Sequence, residues 1–188
     1  MIELIMLVSR QGKARAWPPY ALTRARAPAV AGPSAPVQVR LTKFYDQTYS
    51  KKDKQRVVRE VTTAVLSRAP KLCNFVEYKG KKIVYKRYAS LFFVCLVAAD
   101  DNELLVLESI HHYVEVLDQL FNNVCELDII FNFTQAYFSL DEIILGGEVQ
   151  ETSKREVLRV CAAQDEQMED DDGGARGFSL PGVSGSGR

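Results

Sequence analysis

The residue types that usually carry chemistry are present in this chain, but their spacing does not assemble them. His111 and His112 are its only histidines. They are adjacent within a helical pattern, so they point in different directions and cannot grip one metal ion. Each reads as packed or partner-facing. Asp141 and Glu142 are also adjacent and read as surface carboxylates rather than an acid/base pair. Cys73, Cys95, Cys125 and Cys161 lie far apart, and no C-x-x-C pair occurs. Free thiols, mostly in apolar surroundings, are the expectation, with no zinc site. Gly12-Lys13 lacks the frame of a phosphate-binding loop, and no G-x-G-x-x-G is present. No nucleophile has a base at a usable spacing. An enzyme is not expected, nor is a cofactor. Tyr85, Lys86, Arg87 and Tyr88 place aromatics beside cations, as a nucleic-acid surface would. Alternation along a strand explains them equally well, and no nucleic-acid partner is expected.

The informative residues are apolar, between Tyr85 and Phe133. Ser90 to Val97 is apolar throughout and predicts a central strand. Asp100 or Asp101 should cap a long helix from Asn102 to about Asn122. That helix carries one stripe of Leu104, Leu107, His111, Val114, Leu117 and Phe121, and a second of Leu105, Tyr113, Val116 and Leu120. A helix apolar on more than one side is enclosed on several sides. A partner protein is the expected cover, so the chain reads as a subunit.

The remaining elements follow by period and by caps. Ile2 to Val8 predicts a buried strand rather than a signal peptide, since no basic flank precedes it and no small-residue cleavage site follows. Arg40 to Tyr45 predicts its return strand. Between them lies Ala14 to Val39, with five of the seven prolines and no acidic residue. It reads as a disordered insertion within a hairpin, the product of a translated intron or alternative exon. Ser50 and Asp53 form a capping box for a helix with Val57, Val58, Val61, Ala64 and Val65 inward. Leu72 to Tyr78 and Lys82 to Tyr88 predict a hairpin turning at Lys79-Gly80. Short helices are expected from Glu126 and from Thr134, the latter stopped by Gly146-Gly147. Ser153 and Glu156 should cap a last helix. Residues 168–188 read as a disordered acidic, then Gly/Ser-rich, tail. Residues 1–167 therefore make one domain interrupted at 14–39. The order β-β-α-β-β-β-α, then helices, predicts an antiparallel sheet with helices on both faces, in the α/β or α+β class.

No apolar run reaches the roughly 20 residues a bilayer demands, and a cytoplasmic location is expected. Net charge is zero, yet 19 Lys/Arg and 5 Asp/Glu precede Ala89 while 5 and 19 follow Tyr88. That asymmetry predicts either a basic face for an anionic partner or charges that interleave on folding.

Several blocks in order carry a family resemblance: MIELIMLVSRQGK, RLTKFY, PKLCNFVEY, YKRYASLFF, DNELLVLESIHHYVEVLD, VCELDIIFNF and GGEVQETSK. They resemble the small (sigma) subunits of heterotetrameric clathrin adaptor complexes. Ser9 to Lys13, Lys86 to Leu91 and Gly146 to Lys154 are most like the type-1 subunit of the trans-Golgi network and endosomes. The alternatives are the type-2 endocytic subunit, coatomer zeta, or another longin-domain trafficking protein. The resemblance implies a longin-like fold of five antiparallel strands flanked by helices, with C-terminal helices. It implies a gamma-type large adaptin as direct partner within the complex. Clathrin and an Arf-type GTPase are reached through that complex, which sits peripherally on membranes of the trans-Golgi network, endosomes and coated vesicles. It also implies binding of acidic dileucine signals, [DE]-x-x-x-L-[LI], in cargo tails. The matching positions are Ala89, Leu91, Val114, Asn123, Val124, Leu127 and Ile129. The cation for the signal's acidic residue is Arg40, which precedes Leu41, or Arg15, which keeps the spacing from Gly12-Lys13.

Overall fold

The computed structural model describes residues 1–10, 37–69 and 71–175. Strand β1 (Ile2–Arg10) is flanked by β2 (Val37–Phe44) and β5 (Leu91–Ala98), and β4 (Lys81–Tyr88) and β3 (Phe75–Tyr78) complete an antiparallel sheet in the order β2-β1-β5-β4-β3. This is the expected five-stranded sheet. Strands β1 and β5 are central and buried on both faces, which explains their unbroken apolar character.

Period-two alternation sorts their residues into two layers. Leu4, Met6 and Val8 of β1, with Phe92, Val94 and Leu96 of β5, face helix α1 (Lys51–Leu66). Val57, Val61 and Val65 fill that layer from the helix, one turn apart. The capping box forms as expected: the Asp53 N–H donates to Ser50 Oγ at 3.2 Å, and that hydroxyl donates to Asp53 Oδ2 at 2.6 Å.

The opposite layer takes Ile5 and Leu7 from β1 and Leu91, Phe93, Cys95 and Val97 from β5. It is covered by α2 (Glu103–Leu120), α3 (Glu126–Phe131), α4 (Phe133–Ile143) and α5 (Lys154–Ala175). Helix α2 buries Val106, Ile110, Tyr113, Val114, Val116 and Leu117. This corrects the two predicted stripes. Leu104 and Leu105 are each 67% exposed, and α4 and α5 of the same chain pack against α2 from its second side. Tyr113 fixes that packing, donating from its buried hydroxyl to the Ala136 carbonyl at 2.8 Å. The second side of α2 is therefore covered largely from within the chain, while Leu104 and Leu105 at its start stay uncovered.

Other boundaries move for local reasons. Asn102, not Asp100 or Asp101, caps α2, its side chain accepting from the Leu104 N–H at 2.9 Å. Helix α4 ends at Ile143, and Gly146-Gly147 instead turns a short hairpin of β6 (Ile144–Leu145) and β7 (Glu148–Val149). The Ser153/Glu156 box does not close in the predicted way. The Ser153 N–H donates to Glu151 Oε1, and Glu156 pairs with Arg159. Strand β2 begins at Val37, three residues inside the range read as an insertion, and α5 continues through residues 168–175 of the range read as tail. The rest of those two ranges lies outside the described residues. The lopsided charge interleaves in part: Arg40 pairs with Glu126, Lys43 with Asp141 and Lys82 with Glu103, each joining the basic half to the acidic half. Among the described residues, no helix is long and apolar enough to cross a membrane.

Candidate functional site

The positions matched to the dileucine slots come from four separate elements and converge at one end of the sheet. Leu91 opens β5, Val114 lies in α2, Val124 follows that helix, and Ile129 lies in α3. All four are buried in the same apolar cluster, with Ala89 packed against it. Asn123 and Leu127 lie at the surface, where Leu127 is 46% exposed. The arrangement is a closed apolar patch with an exposed amide and an exposed leucine on its rim. The four buried side chains touch core rather than solvent, so a ligand could reach them only after side chains at the rim move.

The backbone at this end is held in unusual conformations. Ala89, Asn122 and Asn123 have φ of 50, 49 and 75°, three of the four positive-φ non-glycine residues described. Asparagine tolerates this region better than other residues, because its short polar side chain bonds locally. Ala89 has no such excuse, at a cost of roughly 1–2 kcal/mol. Its carbonyl accepts a 2.9 Å bond from Arg87 Nε, which helps hold the turn. Asp118 anchors the loop after α2: its carbonyl accepts from the Asn123 N–H, and its Oδ1 from the Val124 N–H, both at 3.2 Å. The Cys125 N–H donates to Asp128 Oδ2 at 2.8 Å and starts α3.

A β-bulge brings a cation to the same place. Leu7 pairs with Leu41 and Val8 with Val39, so Arg40 is the extra residue of β2. A bulge re-aims the side chain it carries. Here it lets Arg40 and Leu41 both face the helical layer. Arg40 Nε donates to Ser9 Oγ at 3.2 Å and to Glu126 Oε1 at 3.0 Å, and Nη2 donates to the same carboxylate oxygen at 2.8 Å. Ser90 Oγ donates to Glu126 Oε2 at 3.5 Å. Ser9 in turn sits opposite Leu91 in the β1–β5 ladder. Cation and apolar patch are thus neighbours through Ser9. The other candidate cation, Arg15, lies outside the described residues.

Ser9, Ser90 and Glu126 have no place in the sequence-derived site. All three are short or charged groups inside strongly apolar blocks, and that contrast is the only signal in the sequence that could have singled them out. The bulge has no signature in the sequence.

Nearby titratable groups follow ordinary desolvation. Burial pushes the Tyr88 phenol up, and it contacts His111 Nδ1 at 3.1 Å. Burial also pushes the Cys95 thiol up, and raises that of Cys161 to about 11. Neither thiol is a nucleophile at neutral pH. Cys73, by contrast, is exposed, and all four cysteines are free. Among the described residues, no group of His, Cys, Asp and Glu could hold a metal ion. A separate shallow cleft of about 220 Å³ lies beside α4 and α5, lined by Phe131, Gln135, Phe138, Cys161 and Asp165 among others.

Comparison with known proteins shows the family of the chain. Residues 34–168 match the family described as clathrin adaptor complex small chain. AP-1 complex subunit sigma-2 of Arabidopsis thaliana is 49% identical over 169 residues, covering 90% of this chain and 88% of that protein. AP-1 complex subunit sigma-1A of Homo sapiens is 45% identical over 172 residues, covering 92% of each. In three dimensions the chain resembles one in a structure described as a homology model of the full-length AP-3 complex in a stretched open conformation. The TM-score is 0.60 at 24% identity, covering 92% of this chain and 98% of that one, a likeness of fold.

The chain belongs to the clathrin adaptor small chain family, the sigma subunits. Membership makes it a non-enzymatic subunit of a heterotetrameric adaptor complex in vesicle-mediated protein transport.

Proposed function

We propose that the chain is the sigma subunit of a type-1 adaptor complex at the trans-Golgi network and endosomes, and that it helps read acidic dileucine signals in cargo tails. The convergence of Leu91, Val114, Val124 and Ile129 under a rim of Ala89, Asn123 and Leu127 supports this reading. Two adjacent leucines need two apolar slots, and fully burying each contributes about 1.5–3 kcal/mol. An extended peptide also needs polar partners for its backbone, and the Asn123 amide can both donate and accept. Arg40 offers a cation beside the slots. The identity to several AP-1 sigma subunits favours the type-1 complex, with a gamma-type large adaptin as direct partner and clathrin and an Arf-type GTPase reached through the complex.

Purification of the tagged chain from cells tests the assignment of complex: co-purifying gamma-type adaptin is expected, and alpha-type adaptin would overturn it. Calorimetric titration of the assembled complex with an acidic dileucine peptide tests the site. Binding that disappears when both leucines become alanine is expected; binding indifferent to the leucines would overturn the site.

A further inference from the structure

We infer that Glu126 is a built-in counter-anion that masks Arg40 and thereby sets how strongly the site responds to the acidic residue of a signal. The inference rests on the dileucine reading and adds a residue to it.

The geometry carries the argument. Arg40 is 20% exposed and Glu126 only 7%, so the pair is largely withdrawn from water. A charge so placed needs a partner, and each supplies the other's. Among the described residues, the bonds of Arg40 run through Nε and Nη2 alone, and both reach the single oxygen Oε1. This is not the two-oxygen fork that makes an arginine–carboxylate pair strongest. Oε2 has only the long contact from Ser90. The pair is neutral in sum, and no described residue accepts from Nη1 of the guanidinium.

A second carboxylate approaching Arg40 meets that neutral pair rather than a cation. Its attraction to the guanidinium is opposed by repulsion from Glu126, at nearly the same place. The apolar slots are untouched by this cancellation. Leucine recognition is therefore set by burial, while the response to the acid is set by the balance of Arg40 and Glu126.

A charge cycle on the assembled complex tests this. The probes are a synthetic acidic dileucine peptide and the same peptide with glutamine in place of the acidic residue. Glu126→Gln keeps a carbonyl oxygen for Arg40 and removes the negative charge. It should raise affinity for the acidic peptide about two- to fivefold at low salt, the size of an exposed ion pair. The gain should shrink as salt screens it, and the glutamine peptide should be unaffected. The Arg40→Gln/Glu126→Gln double variant leaves no lone charge to bury, so it tests the same idea if the single variant fails to assemble. It is neutral at this place like the unaltered complex, and should bind the acidic peptide within about twofold of it.

An unchanged or weakened affinity in Glu126→Gln overturns the inference. So does a double variant that loses the preference for the acidic peptide, since Arg40 would then be reading the acid unmasked. If the unaltered complex binds without regard to the leucines, the dileucine reading fails, and this inference with it. If binding needs the leucines but the cycle is flat, only the role of Glu126 fails.

Discussion

The two faces of the sheet solve the same packing problem in different ways. On one face a single helix, α1, lays Val57, Val61 and Val65 against the alternate residues of β1, β4 and β5. Its charges stay outside, Arg56 pairing with Asp53 within the helix and Glu60 with Lys79 of the β3–β4 turn. On the other face four helices share the cover, and polar residues enter the interior: Ser9, Glu126 and Ser139 are buried there. The bulge at Arg40 and the left-handed residues Ala89, Asn122 and Asn123 belong to that second face or its rim. The α1 face breaks fewer local rules and scatters them: Thr62 is buried there with its hydroxyl unpartnered among the described residues, and Lys79 takes a φ of 50° in the turn between β3 and β4. A face that breaks several of them at one place is where a binding site is to be sought.

The largest expected effect tests how completely the second face is core. Val114 is fully buried between α2 and the sheet. Val114→Asp would place a carboxylate in an apolar cluster, and a buried unpaired charge is one of the few changes that can cost over about 4 kcal/mol. Loss of soluble complex on coexpression is expected, rather than selective loss of peptide binding. A complex that assembles with normal thermal stability would show that the slot is open to water, and the comparison of faces would break.

Next in size is a contrast within one turn. Gly147 has φ +88°, and a Cβ there would lie 2.2 Å from the Ile2 carbonyl oxygen. The Gly147 carbonyl also accepts the Ile2 N–H at 2.8 Å, so the hairpin and β1 cannot easily separate. Gly147→Ala should destabilise by about 2–3 kcal/mol, from backbone strain and the clash together. Gly146 has φ +61° and open space around it, and Gly146→Ala should cost only about 1–2 kcal/mol. Denaturant midpoints of the two variants measure the difference, and equal values would remove the Ile2 contact from the account.

How legible these faces are in the sequence differs in the same way. The α1 face was readable because its signals are local: a valine at each turn, a Ser-x-x-Asp cap and an unbroken apolar run in β1. The long helix was misread because its apolar residues look alike whether they meet α4, α5 or solvent. Leu104 and Leu105 continue the stripes but lie outside the packed surface. Gly146-Gly147 looked like a helix stop, and only the pairing of Ile144 with Val149 shows it to be a hairpin turn. The slot residues were named through resemblance alone, since Leu91 and Ile129 read equally as core. Arg40 was found the same way, but its partner was not. An ion pair spanning 86 residues depends on tertiary register, which a one-residue bulge decides.

A smaller effect concerns the rim. Leu127 is nearly half exposed in this chain, so its replacement removes little from the fold. Leu127→Asp should leave thermal stability within about 0.5 kcal/mol, as surface changes usually do. If Leu127 closes over a bound leucine, affinity for a dileucine peptide should fall by about 1–2 kcal/mol, or roughly five- to thirtyfold. Unchanged affinity at unchanged stability would confine the site to the buried residues.

The smallest effect separates the two faces by pH. His112, on α2, is held below its ordinary pKa of 6.5, first by burial and then by Lys154, against the opposing influence of the Glu151 backbone, Glu115 and Glu108. Its Nε2 is buried without a hydrogen-bond partner among the described residues. The folded state thus binds a proton less readily than the unfolded state, so stability falls as pH drops through 6.5 towards the lower folded value. On the α1 face, Glu60 is held below its ordinary 4.5, first by the hydrogen bond from Lys79 and then by that from Tyr78. Its stabilising contribution is present above 4.5 and is lost only as pH falls through the depressed value. A melting curve against pH should therefore decline in two steps, the first just below neutrality and the second in the acid range. His112→Gln should flatten the first step alone, and Glu60→Gln should reduce the second only in part, since Asp46, Glu103 and Glu156 are also held below their ordinary values. A first step that survives His112→Gln would assign the titration to another group and dissolve this distinction between the faces.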